Sequence, residues 1–199
     1  MPINPCVVSG NVSKRCDASV NNTTLLAVKG LAPRIASTAF VAPGCRILGD
    51  VALGENTSVW YNCVIRGDMS HIRIGARTNI QDCCMIHCDS ANGDHGDYPT
   101  LIGDDCMIGH MSLLHGCTLE DGAVAGMGTI IFNGATIESN GMLAAGGMLT
   151  SGKVIKSGQL WAGRPSKYLR HLTADEIASN RAATAFYIEN CRRHAAVLA

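Results

Sequence analysis

Aromatic residues are scarce, at 5% of 199 positions, and no charge of either sign is in surplus: sixteen Lys and Arg face sixteen Asp and Glu. A neutral chain without a run of like charge has no electrostatic footprint for nucleic acid or for an anionic membrane. No apolar stretch approaches the ~20 residues a spanning helix needs, so no transmembrane segment is expected. The ten cysteines include no CxxC pair, which argues against a zinc ribbon or a thioredoxin-type site. They read as small buried apolar residues of a reducing compartment. The start of the chain lacks an apolar secretory core. Residues 1–16 carry Lys14 and Arg15 with no acid, which is compatible with an organelle-targeting segment.

What the chain has is glycine, 22 residues of it, and a period of six. Steps of six from Val41 land on Ile47, Leu53, Val59 and Ile65. A restart at Ile74 gives Ile80 and Ile86. A restart at Leu101 gives Met107, Leu113, Leu119, Ala125, Ile131, Ile137, Leu143 and Leu149. Neither an amphipathic helix nor an alternating strand keeps such a period. A three-sided coil does, with one hexapeptide per side and about 18 residues per turn, the aliphatic residue inward and small residues at the corners. The expected fold class is therefore mainly β: a parallel β-helix over 35–165 with roughly five or six turns, preceded by an extension over 1–34. Beyond Gly163-Arg164-Pro165 the period stops, and 166–199 is expected to be a C-terminal helix packed on the coil. Thr173 and Glu176 have capping-box spacing. Ile177, Ala178, Arg181, Ala182, Ala185 and Ile188 form its candidate packing stripe.

The period breaks twice. Ile65 to Ile74 holds three extra residues, within "RGDMSHIR", and "HCDSANGDHGDYPT" bulges out after Ile86. Loops that leave a repetitive scaffold tend to carry function. Of seven histidines, His87, His110 and His115 sit beside repeat positions on adjacent turns. Three neutral imidazoles and an open water position make a catalytic zinc-type ligand set. A separation of five is nearly one whole side, so His110 and His115 project from different sides or corners of one turn. One chain could hardly bring both onto one ion. Where two prisms pack side to side, His110 of one could meet His87 and His115 of its neighbour, and a closed cyclic trimer would hold three such sites. Arg66, Asp68 and Asp82 near the breaks are either turn formers with a surface Arg or an ion-pair network between subunits. Gln81 would then orient a metal-activated hydroxide.

"VWYNCVIRGD", "IGARTNIQDCCMIH", "IGDDCMIGHMSLLHGC" and "AGMGTIIFNGATI" resemble the γ-class carbonic anhydrases over roughly residues 38–190. The resemblance implies a trimer of left-handed β-helices with His87 and His115 from one chain and His110 from the next. It also places Arg66, Asp68, Gln81 and Asp82 on matching motif positions, and Tyr187 on a helix tyrosine that reaches the site in relatives. "GMLAAGG" and "LWAGRPSKYLRHLTADEI" are similar to the γ-carbonic-anhydrase-like subunits of mitochondrial respiratory complex I. That implies the mitochondrial matrix and a homo- or heterotrimer with related chains; the alternative location is cytoplasmic. The activity implied is carbonate dehydratase, a lyase converting CO2 to bicarbonate with Zn2+, or with Fe2+ or Co2+. Met69 stands where the archetypal enzyme has Glu, and Asp94, His95 or Asp97 of the loop are the substitutes for its proton carrier. The competing functions are a structural complex I subunit with slow or no turnover, and a hexapeptide acyltransferase, which needs no His at all three positions.

Overall fold

A computed structural model describes residues 22–90 and 96–198; the 1–16 segment, Asp94 and His95 lie outside them. The chain winds a three-sided parallel β-solenoid of about seven turns, each strand bonding to the strand one turn above and below. On the first side the inward residues stack as Leu25, Ile47, Ile65, Ile86, Leu114, Ile131 and Leu149. On the third side they are Val41, Val59, Ile80, Ile108, Ala125 and Leu143. These columns form one dry core in which Ile47, Ile65, Ile86 and Leu114 are fully buried. Cysteine contributes to it as expected of a small apolar side chain: Cys45, Cys63, Cys84, Cys106 and Cys117 are buried, whereas Cys83 is exposed.

Three expectations are corrected. The coil starts before residue 35, because Thr24–Leu26 and Arg34–Ile35 already pair with Arg46–Leu53. Leu25 to Ile35 is ten residues rather than six, and the Val28–Leu31 turn hides the phase. Between residues 101 and 114 the inward residues are Ile102, Ile108 and Leu114, one place later than Leu101, Met107 and Leu113. The step to Leu119 is then five, through the tight corner at Gly116. Residues 166–171 are not helical: Ser166–His171 folds back antiparallel on Gln159–Gly163 and caps the last turn.

The helix Ala174–Leu198 starts on the expected capping box. The Thr173 N–H donates to Glu176 Oε2 at 2.8 Å and the Glu176 N–H to Thr173 Oγ1 at 3.2 Å. Its packed face keeps only Ile177 and Ile188 of the expected stripe, both half-buried. Thr184 and Cys191 are buried, Tyr187 and His194 meet Trp60, and Ala178, Ala182 and Ala185 face outward. The extra residues of the first break leave the coil where two backbones nearly touch. A Cβ on Gly49 would lie 2.2 Å from the Gly67 carbonyl oxygen, which only glycine permits. Gly67 thereby sets Arg66 and Asp68 at the rim of the first side.

Because the core is a single continuous column, a deletion in it should be felt globally. Ile86→Ala is expected to cost about 2–5 kcal/mol, read as a lower urea midpoint in equilibrium unfolding.

Candidate metal centre

Arg66, His87 and His115 occupy one column, each in register with the next across adjacent turns. Strands one turn apart lie about 4.8 Å from each other, and the two imidazole centroids are 4.9 Å apart. Tilted by 65°, the rings bring His87 Nδ1 to 3.0 Å from His115 Nε2.

The outer bonds decide which nitrogens carry protons. His87 Nε2–H donates to Asp68 Oδ1 at 3.0 Å. His115 Nδ1–H donates to Asn133 Oδ1 at 2.5 Å, and Asn133 Nδ2–H donates in turn to Asp89 Oδ2 at 3.2 Å, which fixes the amide's orientation. When both rings are neutral, the facing nitrogens present lone pairs to each other. Burial pushes the Asp68 carboxyl up, but bonds from Arg66 and His87 outweigh it and keep it below the usual range. Burial lowers His87, the bond to Asp68 opposes this, and the Arg66 and His115 charges add to the lowering. Two converging ring nitrogens, each ring oriented by an outer acceptor, fit a divalent cation. Two nitrogens bound tetrahedrally at about 2.05 Å would stand about 3.3 Å apart, close to the spacing here.

His110 is elsewhere. It lies in the corner between the third and first sides, directly over Asp82, with its Nδ1 2.8 Å from Asp82 Oδ2. The His110 N–H donates to Gln81 Oε1 at 3.2 Å, and Asp82 Oδ1 also accepts from the Tyr61 N–H. Tyr187 stands over this corner, edge-on to Trp60 at 5.3 Å. Burial, and then the Asp82 charge, raise its phenol pKa. The predicted residues thus fall into two groups. Arg66, Asp68, His87 and His115 make one; Gln81, Asp82, His110 and Tyr187 make the other. Among the described residues no three His, Cys, Asp or Glu side chains converge to hold a metal within one chain.

No family model matches the chain. Among curated proteins, the carbonic anhydrase of Geobacillus kaustophilus is 45% identical over 161 residues, which are 81% of this chain and 85% of that one. The chain belongs to the gamma carbonic anhydrase family. Gamma carbonic anhydrase 1, mitochondrial, of Arabidopsis thaliana is 42% identical over 87% of the chain, which spans only 63% of that plant relative's length. A hexapeptide transferase family protein from Anaplasma phagocytophilum superposes with a TM-score of 0.79 at 45% identity, covering 84% of this chain and 96% of that one. Carbonic anhydrase relatives agree with a metal cofactor, and the His87–His115 pair is where this chain would begin to hold one.

Asn133 and Asp89 escaped the sequence-based expectations. A turn here is seventeen residues, so Asn133 stands over Gly116, and its amide reaches back to the His115 imidazole. Gly116 makes room for the bond, since a Cβ there would come within 2.6 Å of Asn133 Oδ1. Asn133→Ala should weaken Zn2+ or Co2+ retention about 10–100-fold, measured by competition with a chelator.

Proposed function

We propose that the protein is a γ-type carbonic anhydrase whose metal, Zn2+ by default, binds between subunits. His87 and His115 of one chain would supply two ligands and His110 of the next the third. The observation that carries this reading is the convergence of His87 Nδ1 and His115 Nε2 at 3.0 Å, with a third imidazole, His110, held at another corner of the prism. When bound there, a divalent ion acidifies water to a pKa of about 7 and supplies hydroxide to attack CO2. Gln81 is 5% exposed and braced, donating from Nε2 to Asn79 Oδ1 at 3.1 Å, so its amide can orient the nucleophile and the bicarbonate beside His110. Tyr187, kept protonated, donates a hydrogen bond to bicarbonate from the helix side.

The outer surface of the first side supports a trimer. Val64, Met85, Leu113, Ile130 and Met148 form an outward ladder on adjacent turns, with Met85 47% exposed. A neighbouring prism would cover these apolar residues beside the His87–His115 column. Arg66, 2.6 Å from Asp68, stands at the same rim and would extend the ion-pair network across the contact. The mitochondrial names of three Arabidopsis relatives support a mitochondrial location, and the motif resemblance extends this to the matrix and to complex I as a partner, in a homo- or heterotrimer. Met69, an apolar side chain 45% exposed next to Asp68, favours a second reading, a structural subunit with slow turnover for want of a proton carrier.

Stopped-flow CO2 hydration by metal-loaded protein, before and after chelation, tests the reading. Chelator-sensitive turnover that rises with buffer concentration is expected; a fully metallated trimer with no turnover would leave only the scaffold. His110→Ala should abolish metal retention at every site, and stoichiometric metal in that variant would refute the shared triad. Arg66→Ala should shift the trimer toward monomer at low protein concentration, seen by sedimentation velocity.

A further inference from the structure

The chain's neutrality hides a polarised molecule. From residue 139 to residue 174 there is no Asp or Glu, while Lys153, Lys156, Arg164, Lys167 and Arg170 all fall there. The rest of the chain carries eleven cations against sixteen acids. The topology gathers these five at one end of the prism. Lys153 and Lys156 flank Val154–Ile155, the last strand of its side, and the other three belong to the hairpin that caps the coil. All five are exposed. Lys156 is engaged by Glu138 at 2.7 Å and Arg170 by Glu176 at 2.7 Å. Among the described residues, Lys153, Arg164 and Lys167 make no ion pair.

The capping strand Ser166–His171 protrudes. Every residue from Lys167 to His171 is exposed, although neighbours on a strand point to opposite faces. Tyr168 and Leu169 are 50% and 59% exposed in the midst of the cations. Core packing does not explain an aromatic and an aliphatic side chain there. The free edge of the strand is poorly suited to pairing with a partner's strand, because Pro165, Lys167 and the irregularity at Leu160/Trp161 are devices that blunt an edge. A flat basic end tipped with an amphipathic aromatic and a leucine instead matches a surface of anionic headgroups over hydrocarbon, where cations hold the headgroups and apolar tips enter the boundary.

We propose that this end of the prism docks on anionic lipid membranes through Lys153, Arg164 and Lys167, with Tyr168 and Leu169 inserted at the headgroup boundary. A cyclic trimer would present three such patches side by side, so weak individual contacts would add as avidity. The surface lies on the final turns, away from the His87–His115 column, so docking and metal binding should be separable.

Co-sedimentation of the full chain with phosphatidylcholine vesicles, with and without about one-third phosphatidylserine, tests this. Partition onto the anionic vesicles alone is expected, weakening at high salt. The charge-reversal variant Lys153→Glu/Arg164→Glu/Lys167→Glu should lower partition at least about tenfold, and Tyr168→Ser/Leu169→Ser should lower it several-fold. Far-UV circular dichroism and metal content of both variants should equal wild type, since these side chains are solvent-exposed. Equal binding to both vesicle types, unchanged binding of the charge-reversed protein, or association with duplex DNA or polyglutamate in place of the vesicles would each overturn the proposal.

Discussion

Parallel strands can hydrogen-bond only at a separation of about 4.8 Å, and in a closed solenoid that spacing is imposed on every side chain. Residues one turn apart become vertical neighbours whatever their chemistry. The spacing builds the core, because aliphatic residues at a period of six fall into unbroken inward columns. It equally builds the candidate site. The column of Arg66, His87 and His115 exists because their strands are in register, not because their side chains attract one another. Two imidazoles so forced together bring ring nitrogens to 3.0 Å, an arrangement that a cation would satisfy.

The same geometry separates His110 from that column. A corner lies between them, and the prism cannot bend to close it. Each group is nevertheless finished within its own chain. Asp68 and the Asp89–Asn133 pair orient His87 and His115, while Asp82 and Gln81 hold His110. In the proposed trimer these would be two preorganised half-sites. Their orientation is set within one chain, so assembly would only have to bring the halves together. The outward apolar ladder on the first side would give that assembly its driving force.

Much of this was legible in the residues. The six-residue period predicts a solenoid, and the distance of five between His110 and His115 predicts that they project from different sides or corners; His110 stands in a corner and His115 on the first side. The exact phase near residue 101 was not legible, because Leu101-Ile102, Met107-Ile108 and Leu113-Leu114 are apolar at both candidate positions and the outer surface there is itself apolar. The helix face was misjudged for a related reason. Aliphatic spacing selected Ala182 and Ala185 beside Ile177 and Ile188, while the face also packs Thr184 and Cys191 and turns Tyr187 and His194 onto Trp60 of the coil. The capping strand was missed because its residues pair antiparallel at the end of the coil, outside the period. Asn133 was missed because it stacks over Gly116 rather than over His115 and reaches the imidazole sideways.

The division of the site between two chains is tested most directly by complementation. Proteins carrying His87→Ala and His110→Ala each destroy every site of their own trimers. In mixed trimers, an interface that pairs the intact His87–His115 column of one variant with the intact His110 of the other is whole. The account predicts that co-refolding the two variants restores a single metal site per mixed trimer, together with its share of turnover. Mixed trimers, verified by native mass spectrometry, that hold no metal at all would contradict it.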